Sequence, residues 1–179
     1  MANLKKKFIT EIKQEIQKEL SIKNPMAVPQ LSKIVINIGV RNAVGDKKAV
    51  DAVGDILGQI TGQKPKITKA KKSIAQFKVR QGDKIGVMVT MRGKRMYDFF
   101  EKLVNVVLPR IKDFHGVKKD SFDPKGNYTL GVIEYSVFPE IDAGKIDRIQ
   151  GLEISIVTTA QDKNEGQSLL KALGMPFQK

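Results

Sequence analysis

The spacing of apolar residues changes within the first forty positions, and this change limits the folds open to the chain. Between residues 3 and 20 the apolar residues recur every four positions, as in an amphipathic helix: Leu4, Phe8, Ile12, Ile16 and Leu20. Between 31 and 40 a β-branched run through Ile34, Ile36 and Ile38 predicts a strand that is buried on at least one face. A helix followed by a buried strand indicates layers of both kinds of secondary structure.

The rest of the chain continues this alternation. Helices are predicted over 47–61, 94–111 and 164–173, and strands over 64–68, 84–92, part of 128–137, and 153–159. Segment 70–82 is predicted to be an exposed loop or loose hairpin, because its apolar residues are isolated among charges. This order predicts an α+β fold with one mixed or antiparallel sheet and helices packed on one face. We expect a single domain over 1–179, with an N-terminal helix and linker over 1–24.

A strongly basic segment, residues 63–95, dominates the charge of the chain. It holds eleven lysines and arginines against one acid, Asp83, a net of +10 within a whole-chain net of +13. Such a surface repels itself unless salt or a polyanion neutralises it, and clustered cations gain free energy when they displace counterions from phosphates. Non-charged residues such as Phe77 and Thr90 are interleaved with the cations. The segment therefore predicts contact with nucleic acid.

Enzyme and membrane classes find little support in the composition. The chain has no cysteine and one histidine, His115, so thiolate chemistry and a histidine-rich metal site are excluded. His115 is expected in a solvent-facing loop. No apolar run approaches the length of a membrane span, and no nucleotide-binding loop is present. We expect no catalytic residue, metal, cofactor or membrane partner, and a cytoplasmic location.

Polar residues within the predicted strands are candidates for an RNA-binding surface. If helices pack on one sheet face, the other face carries Lys33, Asn37, Thr90 and Arg92. An open face of this kind suits a sugar-phosphate backbone or an RNA minor groove, although solvent-facing alternation explains the pattern equally well. Outside the strands, Phe77 offers a stacking surface.

Several strings, found in order along essentially the whole chain, resemble the family of bacterial large-subunit ribosomal protein five. They are KIVINIGV at 33–40, AKKSIA at 70–75, RQG at 80–82, MRGKRMY at 91–97, LPR at 108–110, GNYTLG at 126–131, FPEI at 138–141, IVTTA at 156–160 and LGMPF at 173–177.

The resemblance implies a non-enzymatic protein that binds 5S rRNA through a concave open sheet face and anchors it in the central protuberance of the large subunit. It implies 23S rRNA, P-site tRNA, neighbouring large-subunit proteins and a small-subunit head protein as further partners. The matching 5S rRNA positions are Lys33, Asn37, Gln63, Phe77, Thr90 and Arg92. The matching tRNA positions, in the loop 70–82, are Lys71, Lys72, Ser73, Lys78, Arg80 and Gln81. Those of the intersubunit contact are Glu140, Asp142 and Lys145.

Two other classes of function compete with this interpretation. A DNA-architectural protein would also be basic, and equal affinity for duplex DNA and 5S rRNA would favour it. A nucleic-acid-processing enzyme would depend on Glu134, Glu140 or His115 for turnover.

Overall fold

A computed structural model describes residues 4–40, 43, 47–141 and 150–178 of the chain. Helix α1 runs through Leu4–Lys7, a π-helical segment Phe8–Ile12, and Lys13–Glu19. Helix α2 spans Lys47–Thr61, α3 runs through Gly93–Lys102, a π-helical segment Leu103–Val107, and Leu108–Arg110, and α4 spans Lys163–Ala172. The strands are β1 (Leu31–Gly39), β2 (Lys66–Lys69), β3 (Lys84–Met91), β4 (Tyr128–Val132) and β5 (Leu152–Thr158).

The start of α4 shows how local chemistry sets a boundary. The side chain of Asp162 accepts a hydrogen bond from the Glu165 N–H at 2.8 Å. The Glu165 carboxylate in turn accepts one from the Gln161 N–H at 2.8 Å. The first bond satisfies a main-chain donor that the helix leaves without an intrahelical partner, so α4 begins here. The second bond joins Gln161, which precedes the helix, to its first turn.

The five strands form one open antiparallel sheet in the order β2-β3-β1-β5-β4. Strand β2 pairs with β3 so that Lys66 faces Met88 and Ile67 faces Val87. Beyond β1, the Val40 N–H donates to the carbonyl of Ile85 at 2.9 Å. The prediction of an α+β fold with one antiparallel sheet is confirmed.

One side of each long strand is buried and the other is not. In β1 the isoleucines Ile34, Ile36 and Ile38 are fully buried, whereas Asn37 between them is exposed. Strand β3 buries Val87, Val89 and Met91, and β5 buries Leu152, Ile154 and Ile156. The period of two is the one that side chains follow along a strand. We call these sides the covered face and the open face.

Contacts within the chain define two compact units. The first comprises 1–34, 91–130 and 155–179, and the second comprises 35–90 and 131–154. In the first unit α1 contacts α3 and α4, with the rings of Phe8 and Tyr97 5.9 Å apart. In the second, α2 contacts β2 and lies near Val87 on the covered face. The single domain over 1–179 stays a prediction.

The sequence-based boundaries differ from the structure by a few residues. The predicted helix 47–61 is confirmed as it stands. Strand β2 begins at Lys66 rather than 64, because Pro65 lacks the N–H that a strand pairing needs. The strand predicted within 128–137 ends at Val132, after which Tyr135–Val137 form a turn of 3-10 helix.

Candidate nucleic-acid interface

Two of the predicted 5S rRNA-binding residues lie on the open face of the second unit, and a third lies at its margin. Asn37 is exposed on β1, and Thr90 is half-buried on β3, where it alternates with the buried Val89 and Met91. Gln63 lies between α2 and β2 and is half-buried. Neutral side chains of this kind donate and accept hydrogen bonds, which suits a sugar-phosphate edge more than a bare phosphate.

A hydrogen bond joins two of these residues. The Gln63 side-chain nitrogen Nε2 donates to the main-chain carbonyl of Thr90 at 3.2 Å. Thr90 lies two residues beyond Met88, which is the last β3 residue paired with β2. The main-chain N–H of Gln63 donates to the Thr61 hydroxyl oxygen at 3.4 Å, and that hydroxyl donates to the Leu57 carbonyl at 2.7 Å. The side chain of Gln63 therefore bonds to the main chain of β3 at a position where β2 has no residue to pair with it.

The β2–β3 register adds two residues that the sequence analysis missed. Lys66 faces Met88 and Thr68 faces Gly86, so both lie on the same face of the sheet as Thr90. Lys66 is exposed and Thr68 half-buried. The alternation of Lys66, Ile67 and Thr68 was visible in the sequence, but their facing partners were not, because register depends on pairing between distant residues.

Asn37 also lines a shallow hollow of about 390 Å³, near the C-terminal end of β1. Of the described residues that line it, Glu153 is the charged one. The full lining is Asn37, Gly39, Gly131, Val132, Ile133, Gly151, Leu152 and Glu153. The electrostatics of the open face are thus not uniformly positive.

The remaining two predicted sheet residues, Lys33 and Arg92, belong to the first unit. Lys33 is half-buried on β1, on the side of the strand opposite to Ile34. Arg92 lies outside β3, which ends at Met91, and it is the residue that precedes α3. Its backbone is still extended (φ −141°, ψ 168°) and its side chain is exposed.

Segment 70–82 is a hairpin held by main-chain hydrogen bonds. Ile74 and Val79 pair with each other through N–H···O distances of 2.9 and 3.2 Å, and Ala75–Phe77 form a 3-10 turn between them. Lys78 closes the turn with a positive φ of 53°. The loose hairpin predicted from sequence is confirmed. It exposes all six predicted tRNA contacts: Lys71, Lys72, Ser73, Lys78, Arg80 and Gln81.

Two side chains fasten the base of this hairpin. The Ser73 hydroxyl oxygen accepts from the Gln81 N–H at 2.9 Å. A carboxylate oxygen of Asp83 accepts from the Arg80 N–H at 2.7 Å. Asp83, the one acid of segment 63–95, thus fixes the main chain beside Arg80 and leaves the Arg80 guanidinium exposed.

Phe77 lies with the hairpin and is separate from the other 5S candidates of the second unit. It is 65% exposed and lines a cleft of about 640 Å³, whose floor includes Val40 and Ile85. Ile85 alternates with Gly86 and shares the side of Val87, so the cleft opens on the covered side of β3. Asn37 and Thr90 lie on the opposite side.

The predicted intersubunit residues are only partly described. Glu140 is exposed in the second unit. Asp142 and Lys145 lie outside the described residues.

His115 and Glu134 are among the residues on which a nucleic-acid-processing enzyme would depend. His115 is exposed, as predicted. The Glu134 carboxylate accepts a hydrogen bond from the Ser136 hydroxyl at 2.8 Å. Among the described residues, no group of three or more histidine, aspartate or glutamate side chains could hold a metal ion.

No helix among the described residues has both the length and the apolar character needed to cross a membrane.

Comparison with known proteins assigns the family. Residues 24–80 match the family model described as ribosomal protein L5, and residues 84–177 match the model of the C-terminus of that ribosomal family. The chain is 56% identical over 174 residues to large ribosomal subunit protein uL5 of Roseiflexus castenholzii, covering 97% of each chain. It is 54% identical over 177 residues to that of Moorella thermoacetica, covering 99% of this chain and 98% of the relative. It is 53% identical over 176 residues to that of Anaeromyxobacter sp. (strain Fw109-5), covering 98% of each. The chain belongs to the ribosomal protein L5 family.

Proposed function

We propose that this protein binds 5S rRNA through the open face of its sheet and helps to attach that RNA in the central protuberance of the large ribosomal subunit. In the same proposal the basic hairpin 70–82 contacts P-site tRNA, and the region around Glu140 bridges to a small-subunit head protein. 23S rRNA and neighbouring large-subunit proteins are the other partners.

Family membership supports the general part of the proposal. The relatives are structural proteins of the large ribosomal subunit and not enzymes, and the same holds for this chain. The large subunit is cytoplasmic in bacteria. A structural RNA-binding protein needs surface shape and charge, and the polar open face and the basic hairpin supply both.

The observation that supports the 5S assignment most strongly is that helices cover one face of the sheet and leave polar side chains on the other. Helix α2 lies against the covered face in the second unit, whereas Asn37, Thr90, Thr68 and Lys66 occupy the open side. Short polar side chains on a regular sheet hold their donors and acceptors in fixed positions. Such a face reads the shape and sugar edge of folded RNA without splaying its bases.

The hairpin suits a different kind of contact. Its cations are exposed and project from a segment fastened at its base by Ser73 and Asp83. Arg80 presents a planar fork that matches two phosphate oxygens. The hairpin and the open face use separate residues, apart from Phe77, which lies in the hairpin and which the resemblance assigns to 5S rRNA.

The bridge assignment comes from the family resemblance, and charge adds a reason for a basic partner. Glu140 is exposed, and Asp142 and Asp147 follow it in the sequence. Lys145 lies among these three acids and Arg148 directly follows them, so it is the acids themselves that suit a basic partner protein, in contrast to the cationic hairpin.

The test is competition binding of the full chain to labelled 5S rRNA, with tRNA and duplex DNA as competitors, across a salt series. We expect Lys33→Ala and Thr90→Ala each to weaken 5S binding by roughly tenfold without loss of the fold. Lys33→Ala should also reduce the salt slope by about one, whereas Thr90→Ala should leave that slope unchanged. The circular dichroism and urea midpoint of each variant are the controls for folding.

Unchanged 5S affinity in both variants would show that the open face is not the 5S site. Equal displacement by every competitor would show a general polyanion binder and overturn the 5S assignment.

A further inference from the structure

A group of exposed cations in the first unit takes no part in the contacts proposed above. Lys5, Lys6 and Lys7 belong to the first described turn of α1, and Lys94 and Arg95 lie in the first turn of α3. All five side chains are exposed. We call these five residues the helix-start cluster. None of them belongs to the open face or to the basic hairpin.

Packing between the two helices brings the cluster together. The first turn of α1 contacts the segment Gly93–Lys102 of α3. Beside this contact, the rings of Phe8 and Tyr97 lie 5.9 Å apart. Lys5 lies three residues before Phe8, and residues three apart are neighbours on a helix surface. Lys94 lies three residues before Tyr97 in the same way. The two runs of cations therefore flank one helix–helix contact.

The cluster has no ion-pair partner within the described residues. None of its five cations lies within ion-pair distance of a carboxylate there. Along the two helices the nearest acids are Glu11 and Asp98, and each of them lies beyond the first turn. Neutralisation of the cluster is therefore left to salt ions or to a polyanion.

The placement of these cations is unfavourable for the isolated protein. The amino-terminal end of a helix carries a partial positive charge, so acids stabilise it and cations destabilise it. Neither the first described turn of α1 nor the first turn of α3 contains an acid. Repulsion among five neighbouring cations adds to this cost. A polyanion that lies across both helices would offset both effects.

The composition of the cluster favours an RNA backbone over an acidic protein. The centre of a specific protein interface is depleted of charge and rich in apolar side chains. Of the large apolar side chains that the structure shows exposed, Ile9 lies on α1 and none lies within Gly93–Lys102. Lysine and arginine side chains on neighbouring turns suit a row of phosphates, and they position an RNA without reading its bases.

We propose that the helix-start cluster binds backbone phosphates of 23S rRNA and so holds the protein, with its 5S rRNA, against the rest of the large subunit. The proposal rests on the proposed function, in which 23S rRNA is a partner without an assigned surface. Attachment of 5S rRNA to the subunit needs a second RNA surface besides the open face. The hairpin, whose cations are assigned to tRNA, does not supply it.

The experiment measures association of the full chain, loaded with 5S rRNA, with 23S rRNA across a salt series. Lys5→Ala and Lys94→Ala should each weaken this association by roughly tenfold near 0.1 M salt, because each removes one phosphate contact. Each should also reduce the slope of log affinity against log salt by about one. Lys18→Ala is the matched control, since it removes an exposed lysine near the other end of α1, and it should change neither quantity.

Charge reversal separates RNA binding from a structural role. Lys94→Glu places an acid in the first turn of α3, which the helix dipole favours, so the urea midpoint should rise while 23S association weakens further. Lys18→Glu places an acid near the end of α1, so the urea midpoint should fall while 23S association stays as in the parent. A residue needed only for folding would lose stability and binding together.

The outcomes also separate this proposal from the proposed function. If Thr90→Ala weakens 5S binding but Lys5→Ala and Lys94→Glu leave 23S association unchanged, the helix-start cluster is not the 23S site. If the cluster variants weaken 5S binding instead, the source of the phosphates is wrong. Normal binding to free 23S rRNA with poor incorporation into reconstituted large subunits would identify a protein partner and overturn the proposal. If the parent chain loaded with 5S rRNA does not associate with 23S rRNA, the proposed function itself fails.

Discussion

The side-chain amide of Gln63 donates a hydrogen bond to the main-chain carbonyl of Thr90 across 3.2 Å, joining residues that are 27 positions apart in the sequence. This bond holds a polar side chain at the margin of the open face, just where β2 has no residue left to pair with β3.

Removal of this side chain should affect both stability and RNA binding. In Gln63→Ala the Thr90 carbonyl loses its donor, and we expect the free energy of unfolding to fall by about 0.5–1.5 kcal/mol. The 5S affinity should fall as well, because the amide can no longer present its atoms to RNA. Urea unfolding and equilibrium binding measure the two effects. Gln59→Ala, an exposed glutamine on α2, is the control and should change neither.

The fastening of the hairpin by Asp83 can be tested separately from its charge. Asp83→Ala makes the hairpin more basic but removes the acceptor of the Arg80 N–H. We expect amide hydrogen exchange at Arg80 to become roughly fivefold faster, as loss of about 1 kcal/mol of local stability implies. Asp55→Ala removes an exposed acid of α2 and should leave exchange in the hairpin as it was. Equal protection of Arg80 in both variants would contradict the role assigned to Asp83.

A close approach of two glycines fixes the start of α4 within the first unit. A Cβ added at Gly166 would lie 2.8 Å from the Cα of Gly126, which is backbone and cannot move aside easily. Gly126 itself has a φ of +70° and accepts a hydrogen bond from the Thr158 hydroxyl at 2.9 Å through its carbonyl. Gly166→Ala should therefore destabilise the protein by at least about 1–3 kcal/mol.

The matched control is another helical glycine with space around it. At Gly58 of α2 a Cβ would lie 3.7 Å from Cδ of Pro65, an ordinary contact. Gly58→Ala should stabilise the protein by up to about 1 kcal/mol, because alanine favours the helix. If the urea midpoints of both variants moved in the same direction, the close approach of Gly166 to Gly126 would not explain the effect of Gly166→Ala.

Alkaline pH should weaken the first unit through Tyr97. Burial raises the pKa of Tyr97 to about 12 from the ordinary value of 10.0. In the unfolded chain the phenol ionises near pH 10, whereas in the folded protein it stays neutral. The contribution of Tyr97 to the free energy of unfolding is therefore present in full below pH 10 and is lost as the pH rises towards 12. The quantity to measure is the difference in urea stability between the parent and Tyr97→Phe at pH 8, 10 and 11.5. That difference should shift in favour of Tyr97→Phe between pH 10 and 11.5, whereas a constant difference would mean that Tyr97 titrates normally.

Much of the local structure could be predicted from the sequence. The period of four in α1 and the β-branched run in β1 predict their element types, because each pattern depends on residues close together in the chain. The even burial of Ile34, Ile36 and Ile38 follows from the same run. The exposed hairpin 70–82 follows from isolated apolar residues among charges, and its basic character is a direct property of the sequence.

The arrangement of the site depended on contacts between distant residues. Only the sheet order places β1 between β3 and β5, and only the β2 register puts Lys66 and Thr68 on the face of Thr90. The position of Phe77 could not be predicted either: its immediate neighbours in sequence are Gln76 and Lys78, but its cleft is completed by Val40 and Ile85.

By itself, then, the sequence determined the element types, the α+β class and the location of the positive charge, because side-chain periodicity and charge are set by adjacent residues. The tertiary structure decided which polar side chains share the open face and which apolar ones line the cleft. Those groupings depend on strand order and register, which are fixed by long-range burial and pairing and by no local pattern.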